Sequence, residues 1–302
     1  MSLPLPASLS PSKVSSFKDC ALSFRLSNID RLPEPPSALA AKGTLVHRAL
    51  ELLMWEEEPS DRTEAAALEK LARAVPEILD GEEYASLQLG ADERAEFVDD
   101  AATLIRNYFT LEDPTQLRVI GTELRMSVEL GTLKLSGIID RLELDADGEL
   151  VVTDYKTGKA PRANLEQSRL TGVHFYAFLC EQVLGRRPAR IQLLHLREPI
   201  AISTIPSDQS IRGLQQQTLA IWTAVEQACR REDFRPKPGR LCDYCAYHEY
   251  CPAVGGDLAK LPLPPWQDVD IRPAGEGGRG SQAPVEESLG MASEAGLVAL
   301  EA

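Results

Sequence analysis

Residues 117–156 alternate with a period of two, and this restricts the fold more than any other stretch of the chain. Three segments, 117–130 (LRVIGTELRMSVEL), 133–145 (LKLSGIIDRLELD) and 149–156 (ELVVTDYK), each read as a β-strand. The turn DADG at 145–148 joins the last two into a hairpin. Facing residues of an antiparallel pair have numbers with a constant sum. A turn centred there brings Asp140 opposite, or nearly opposite, Asp154. Directly opposed carboxylates repel unless a cation compensates them. Lys156 lies two residues beyond Asp154 and points to the same face. The neighbours Ile138, Ile139, Val151, Val152 and Tyr155 are apolar or aromatic, so these charges stand in strands that read as buried. Two carboxylates holding Mg²⁺ or Mn²⁺ beside a lysine suit phosphodiester hydrolysis. From spacing alone, a surface salt-bridge cluster of Asp140, Asp154 and Lys156 fits equally well.

Around this hairpin the pattern is helical. A helix is expected to start at Ser12 or Ser15 and to run through Phe17, Cys20, Leu22 and Phe24 until RLPEPPS breaks it. A second, from about Ala38 to Trp55, carries Leu45, Val46, Ala49, Leu50, Leu53 and Met54 at helical spacing, with His47 among them. A lone histidine on an apolar helix is by itself more often a packed residue than a ligand. Residues 56–112 read as an acidic helical insertion. After the hairpin come a helix over about 165–184, a short buried strand in ARIQLLHLRE, and a helix over about 208–232. Residues 1–10 and 253–302, rich in Pro, Ser, Gly or Ala, are expected to be disordered. The expected fold is α/β, a mixed central sheet flanked by helices.

Charge bears on partners. The formal net charge is -14, which opposes binding to a polyanion. Residues 56–100 carry -11 and residues 253–302 carry -5, leaving +2 on the rest. Acidic appendages on a weakly positive body leave room for a local nucleic-acid groove. There is no run of about 18 apolar residues, so no membrane span is expected. The N-terminus has no signal-peptide pattern, and a cytoplasmic protein is the expectation. No GxxxxGK[ST] loop is present.

Three of the six cysteines form C-x2-C-x5-C at Cys242, Cys245 and Cys251. Clustering of this kind in a cytosolic chain points to metal rather than disulfides. With His248 these three could make a local Cys₃His zinc site. Cys180 and Cys229 fall in helical patterns and read as core residues.

The motifs GIIDR (137–141) and DYKTG (154–158), with GTLVHRALE (43–51) upstream, resemble the PD-(D/E)XK nuclease superfamily, and within it the RecB-type exonuclease branch. The likeness runs from about Ser12 to Pro252. It implies a restriction-endonuclease-like core. It implies a metal-dependent DNA nuclease acting on single strands or ends in repair or recombination, alone or beside a separate helicase subunit. By the same resemblance Asp140, Asp154, His47 and the carbonyl of Tyr155 hold the metal, and Lys156 is the catalytic lysine. Glu123 stands where relatives often carry an acid, at the edge of the site, though an ordinary exposed strand acid fits that position equally well. Tyr176 keeps its place near DNA, but position 172 is Gly where relatives carry Gln, and Gln167 sits at another helical angle. Some relatives, among them CRISPR-associated exonucleases and the AddB subunit, join three C-terminal cysteines to a distant N-terminal one in a [4Fe–4S] cluster. Cys20 occupies that place, with Cys242, Cys245 and Cys251 as the other ligands. The departure at Gly172 leaves open a non-catalytic DNA-binding subunit of a helicase–nuclease or CRISPR adaptation complex.

Overall fold

The computed structural model describes residues 2–160 and 163–262, with side chains excepted over 163–171. Five strands form one mixed sheet in the order β1-β2-β3-β4-β5. They are β1 (Arg118–Leu130), β2 (Leu133–Leu144), β3 (Leu150–Lys156), β4 (Arg190–His195) and β5 (Ile200–Thr204). Only the pair β3–β4 is parallel. The helix α6 (Ala163–Leu184) supplies the long connection that a parallel pair requires. The expected strands match the first four to within three residues at each end. β5 was not anticipated: most of its residues are exposed, so they show no apolar alternation.

Helices cover both faces of the sheet. α3 (Ala38–Glu56), α4 (Glu64–Leu79) and α5 (Ala91–Tyr108) share one apolar cluster with Tyr155, Leu194 and Leu196 of the sheet. Side chains alternate along a strand, so Asp154 faces away from that cluster. On its side lies α6, which packs against β1, β2 and β4 and carries Tyr176 next to Asp154. The helix α7 (Asp208–Arg231) packs on α6, and its N-cap Ser207 exchanges hydrogen bonds with Ser210. Cys180 and Cys229 are buried, as core residues should be. Acids of the 56–112 region pair with bases, as in Lys42–Asp100 and Arg94–Asp80.

The structure corrects three expectations. The N-terminal residues are not loose. Leu3 and Leu9 are buried, Leu9 bridges Leu135 of β2, and the Leu3 amide donates to the Cys229 carbonyl at 3.1 Å. Leu3 and Leu9 find apolar cover, and that outweighs the loop-like composition. The first helix is two helices, α1 (Pro11–Asp19) and α2 (Ala21–Asn28), with Cys20 extended between them at φ -157 and ψ 111. The Cys20 amide closes α1 on Ser16, and its carbonyl opens α2 on Phe24. The chain also stays structured past residue 252, through 3-10 turns at Pro252–Val254 and Leu258–Lys260. The remainder of the expected tail, 263–302, lies outside the described residues.

Candidate active site and cysteine cavity

The β2–β3 ladder runs Leu144↔Leu150 to Arg141↔Thr153, the register the hairpin predicts, and ends one step short of Asp140 and Asp154. Beyond that step the strands exchange side chain for backbone. The Tyr155 amide donates to Asp140 Oδ2 at 2.7 Å. On the other side of β2, Thr122 pairs with Arg141 and Leu124 with Ile139. Glu123, between them, has φ +46, a left-handed conformation unusual for a residue with a Cβ. This kink turns Glu123 towards Asp140 and a histidine from α3. His47 Nδ1 lies 3.6 Å from Asp140 Oδ2 and 3.9 Å from Glu123 Oε1. Ligand atoms of His47, Glu123 and Asp140 all fall within 4.8 Å of one another. Glu123 therefore lies in the cluster and not at its edge. The strand pattern gave its position but not the local backbone turn.

His47 Nε2 contacts the Tyr155 carbonyl at 3.1 Å. As donor to a carbonyl, Nε2 carries a proton, so Nδ1 is the nitrogen that faces the two carboxylates. The carbonyl expected to be a metal ligand is thus engaged with the histidine. Asp154 is 4% exposed and makes an ion pair with Lys156. Tyr176 approaches Asp154 from α6, and burial with the charges of Asp154 and Asp140 keeps its phenol protonated well above its usual range. Two glycines allow these approaches. A Cβ on Gly137 would lie 2.9 Å from Leu179 and 3.3 Å from Tyr176, and one on Gly43 would lie 3.2 Å from Thr157. Gly172 is exposed with open space where a Cβ would stand, so the fold does not require glycine there. The Gln167 side chain lies outside the described residues.

Electrostatics make the cluster ready for a cation. Burial and the Asp154 charge push Asp140 up to about 7, against the pull of His47, the Tyr155 amide and Lys156. Burial alone would lower His47; the nearby carboxylates of Glu123, Asp140 and Asp154 outweigh it and raise it. Clustered carboxylates with one imidazole are a donor set suited to Mg²⁺ or Mn²⁺.

The cysteines meet elsewhere. Cys20, Cys242, Cys245 and Cys251 line one open cavity of about 940 Å³, and all four are free thiols. The three late cysteines ride on consecutive 3-10 turns, their amides donating hydrogen bonds to the carbonyls of Gly239, Cys242 and His248 respectively. Gly256 closes the segment, its amide donating to the Cys251 carbonyl at 2.8 Å. Lys237 Nζ on the Lys18 carbonyl and the Tyr247 hydroxyl on Glu34 hold it against the chain around Cys20. His248 also lines the cavity, but its Nε2 contacts the Cys242 carbonyl.

The model of the PD-(D/E)XK nuclease superfamily matches residues 8–252. The chain belongs to the PD-(D/E)XK nuclease superfamily. Its mixed sheet and flanking helices are the restriction-endonuclease-like fold, and it is a nuclease of a class that uses divalent metals. Among curated proteins no sequence matches it. Of solved structures, a candidate exonuclease from Eubacterium rectale is similar at 13% identity, over 79% of this chain and 86% of that one, with a TM-score of 0.48. The structure of SSO0001 is similar at 13% identity, over 80% and 95%, with a TM-score of 0.33. Neither likeness bears on activity. Among the described residues no helix is long and apolar enough to cross a membrane.

Proposed function

We propose that the chain is a Mg²⁺- or Mn²⁺-dependent deoxyribonuclease of the RecB-type exonuclease branch, acting on single-stranded DNA or DNA ends in repair or recombination. The observation that carries this reading is the convergence of His47, Glu123 and Asp140 beside the buried Asp154 and its partner Lys156. His47, Glu123, Asp140 and Asp154 would hold the cation. When bound, it would polarise the scissile phosphate and acidify a water. Lys156 is 42% exposed, so its ammonium reaches solvent while anchored on Asp154. There it can orient the attacking water or meet charge developing on a phosphate oxygen. The Tyr155 carbonyl fixes the His47 ring, and the Tyr155 amide fixes one oxygen of Asp140. Tyr176 restrains Asp154 from the α6 side.

Cys20, Cys242, Cys245 and Cys251 would hold a [4Fe–4S] cluster. The cavity they share supports four thiolates over a local zinc site, as does the engagement of His248 Nε2 with a backbone carbonyl. Brown protein containing iron and acid-labile sulfide in equal amounts is expected. Colourless, zinc-loaded protein purified anaerobically would exclude the cluster.

End-labelled single-stranded and duplex DNA, incubated with Mn²⁺, tests the activity. Lys156→Ala and Asp154→Ala should each lower cleavage by roughly 10²–10⁴-fold. Gly172, standing where relatives carry Gln, favours the other reading, a DNA-binding scaffold subunit beside a helicase or in a CRISPR adaptation complex. Folded, cluster-loaded wild type that binds DNA but cleaves neither DNA nor RNA would establish that reading instead.

A further inference from the structure

Arg141 takes no part in the cluster just described, yet it heads the fully buried side chains by volume, at 0% exposure. A buried guanidinium is costly unless its donors are matched. Glu112, in the loop after α5, takes both terminal nitrogens, one of them at 2.9 Å. Glu143 lies 2.6 Å from Nε. Thr153 accepts at 3.1 Å, and Gln192 on β4 donates to the same hydroxyl at 2.8 Å. The remaining contacts are to tyrosines: Nη1 donates to the Tyr155 hydroxyl at 2.9 Å and to the Tyr108 hydroxyl at 3.2 Å.

Tyr155 gives this network its link to the site. Its side chain points into the α3–α5 cluster, away from Asp154, and Arg141 holds it there. Its backbone touches the site on both sides, the amide on Asp140 at 2.7 Å and the carbonyl on His47 Nε2 at 3.1 Å. The ring also meets His47 edge-on, with centroids 5.8 Å apart. Where the chain lies at Tyr155 therefore fixes both the Asp140 oxygen and the imidazole direction.

We propose that Arg141, locked by Glu112, is a positioning residue that sets the geometry of the metal site through Tyr155. The inference rests on reading His47 and Asp140 as metal ligands. It adds that the affinity of that site is tuned from the opposite face of the sheet, by a loop outside the motif strands. Groups that orient metal ligands typically change affinity 10–100-fold when removed. Bidentate pairing to Glu112 while reaching Tyr155 needs the planar fork of arginine, which lysine cannot reproduce.

Two measurements on the full-length protein test this. In the first, Mn²⁺ is titrated by electron paramagnetic resonance into wild type, Tyr155→Phe, Glu112→Gln and Arg141→Lys. Each variant should bind Mn²⁺ roughly 10–100-fold more weakly and regain part of its cleavage at high Mn²⁺. Leu71→Ala, which removes a buried α4 side chain and none of the hydrogen bonds around Arg141 and Tyr155, should lose stability and keep wild-type affinity. In the second, metal-free protein is labelled with ¹⁵N at tyrosine. The Tyr155 amide proton should move upfield in Glu112→Gln and Arg141→Lys as its bond to Asp140 lengthens. Wild-type Mn²⁺ affinity in folded Tyr155→Phe and Glu112→Gln, or an unmoved Tyr155 amide, would overturn the proposal. Wild type that binds no Mn²⁺ would defeat the metal-site reading itself, and the amide shift would still decide whether Arg141 positions Asp140.

Discussion

Asp140 stands among charges of its own sign and is largely out of water, and this sets how its site responds to pH. Its carboxyl is pushed up to about 7, first by burial and then by Asp154. The neutral form is favoured by folding, so its contribution to stability is full below the ordinary carboxylate range and is lost as pH rises through about 7. A divalent cation takes the charged form and must displace the proton below that point. Mn²⁺ affinity is therefore expected to fall by more than about tenfold for each pH unit below 7, because His47, also raised, must give up a proton as well, as titrations from about pH 5.5 to 8.5 would show. Added Mn²⁺ should raise the unfolding temperature more at pH 8 than at pH 5.5. Glu123 has a different cost. Its φ of +46 is held by the surrounding ladder, and such strain amounts to about 1–3 kcal/mol. Glu123→Gly should stabilise the metal-free protein by roughly 1 kcal/mol in urea unfolding while weakening Mn²⁺ binding. A variant that is both less stable and unchanged in metal affinity would contradict this account of the kink.

At the scale of elements, the site depends on α6 lying close to β2, and Gly137 is the contact that decides how close. A methyl group there would meet Leu179 at 2.9 Å and Tyr176 at 3.3 Å. Gly137→Ala should cost about 1–3 kcal/mol, and Leu179→Ala in the same chain should recover part of it. Chemical denaturation of the two single variants and the double variant measures that coupling. Strands β1 to β4 could be read from the sequence because each has a buried or half-buried face and shows it as alternation or as an apolar run. β5 has no buried residue. The joint between α1 and α2 was hidden because Phe17, Cys20, Leu22 and Phe24 keep apolar spacing with no Pro or Gly to mark a break. The acid–lysine register in the hairpin followed from counting residues across a turn. Glu123 did not, because a local left-handed backbone, rather than strand parity, turns it inward. The Arg141 network was equally invisible, since only the packed sheet brings Glu112 to β2.

For the whole molecule, the cysteine cavity joins the beginning of the described chain to its end. Cys20 sits at the elbow of α1 and α2, and Cys242, Cys245 and Cys251 follow the last long helix. Apart from these thiols the segment is held by few polar contacts, among them Lys237 on Lys18 and Tyr247 on Glu34. Leu241 and Tyr244 within it are exposed at 60% and 88%, so its packing rests on the buried Phe234 and Tyr247. A cluster bound to all four thiolates would close the loop between the two ends, and closing long loops restricts the unfolded chain most. The metal-ligand group draws none of its residues from this lobe. Cys20→Ser should therefore lower the unfolding temperature and speed tryptic cutting after Arg240, while folded protein keeps its Mn²⁺ affinity at His47, Glu123 and Asp140. If Cys20→Ser instead retained full iron and wild-type resistance to trypsin, the three late cysteines would be closing their site with another residue, and His248 would be the first to replace.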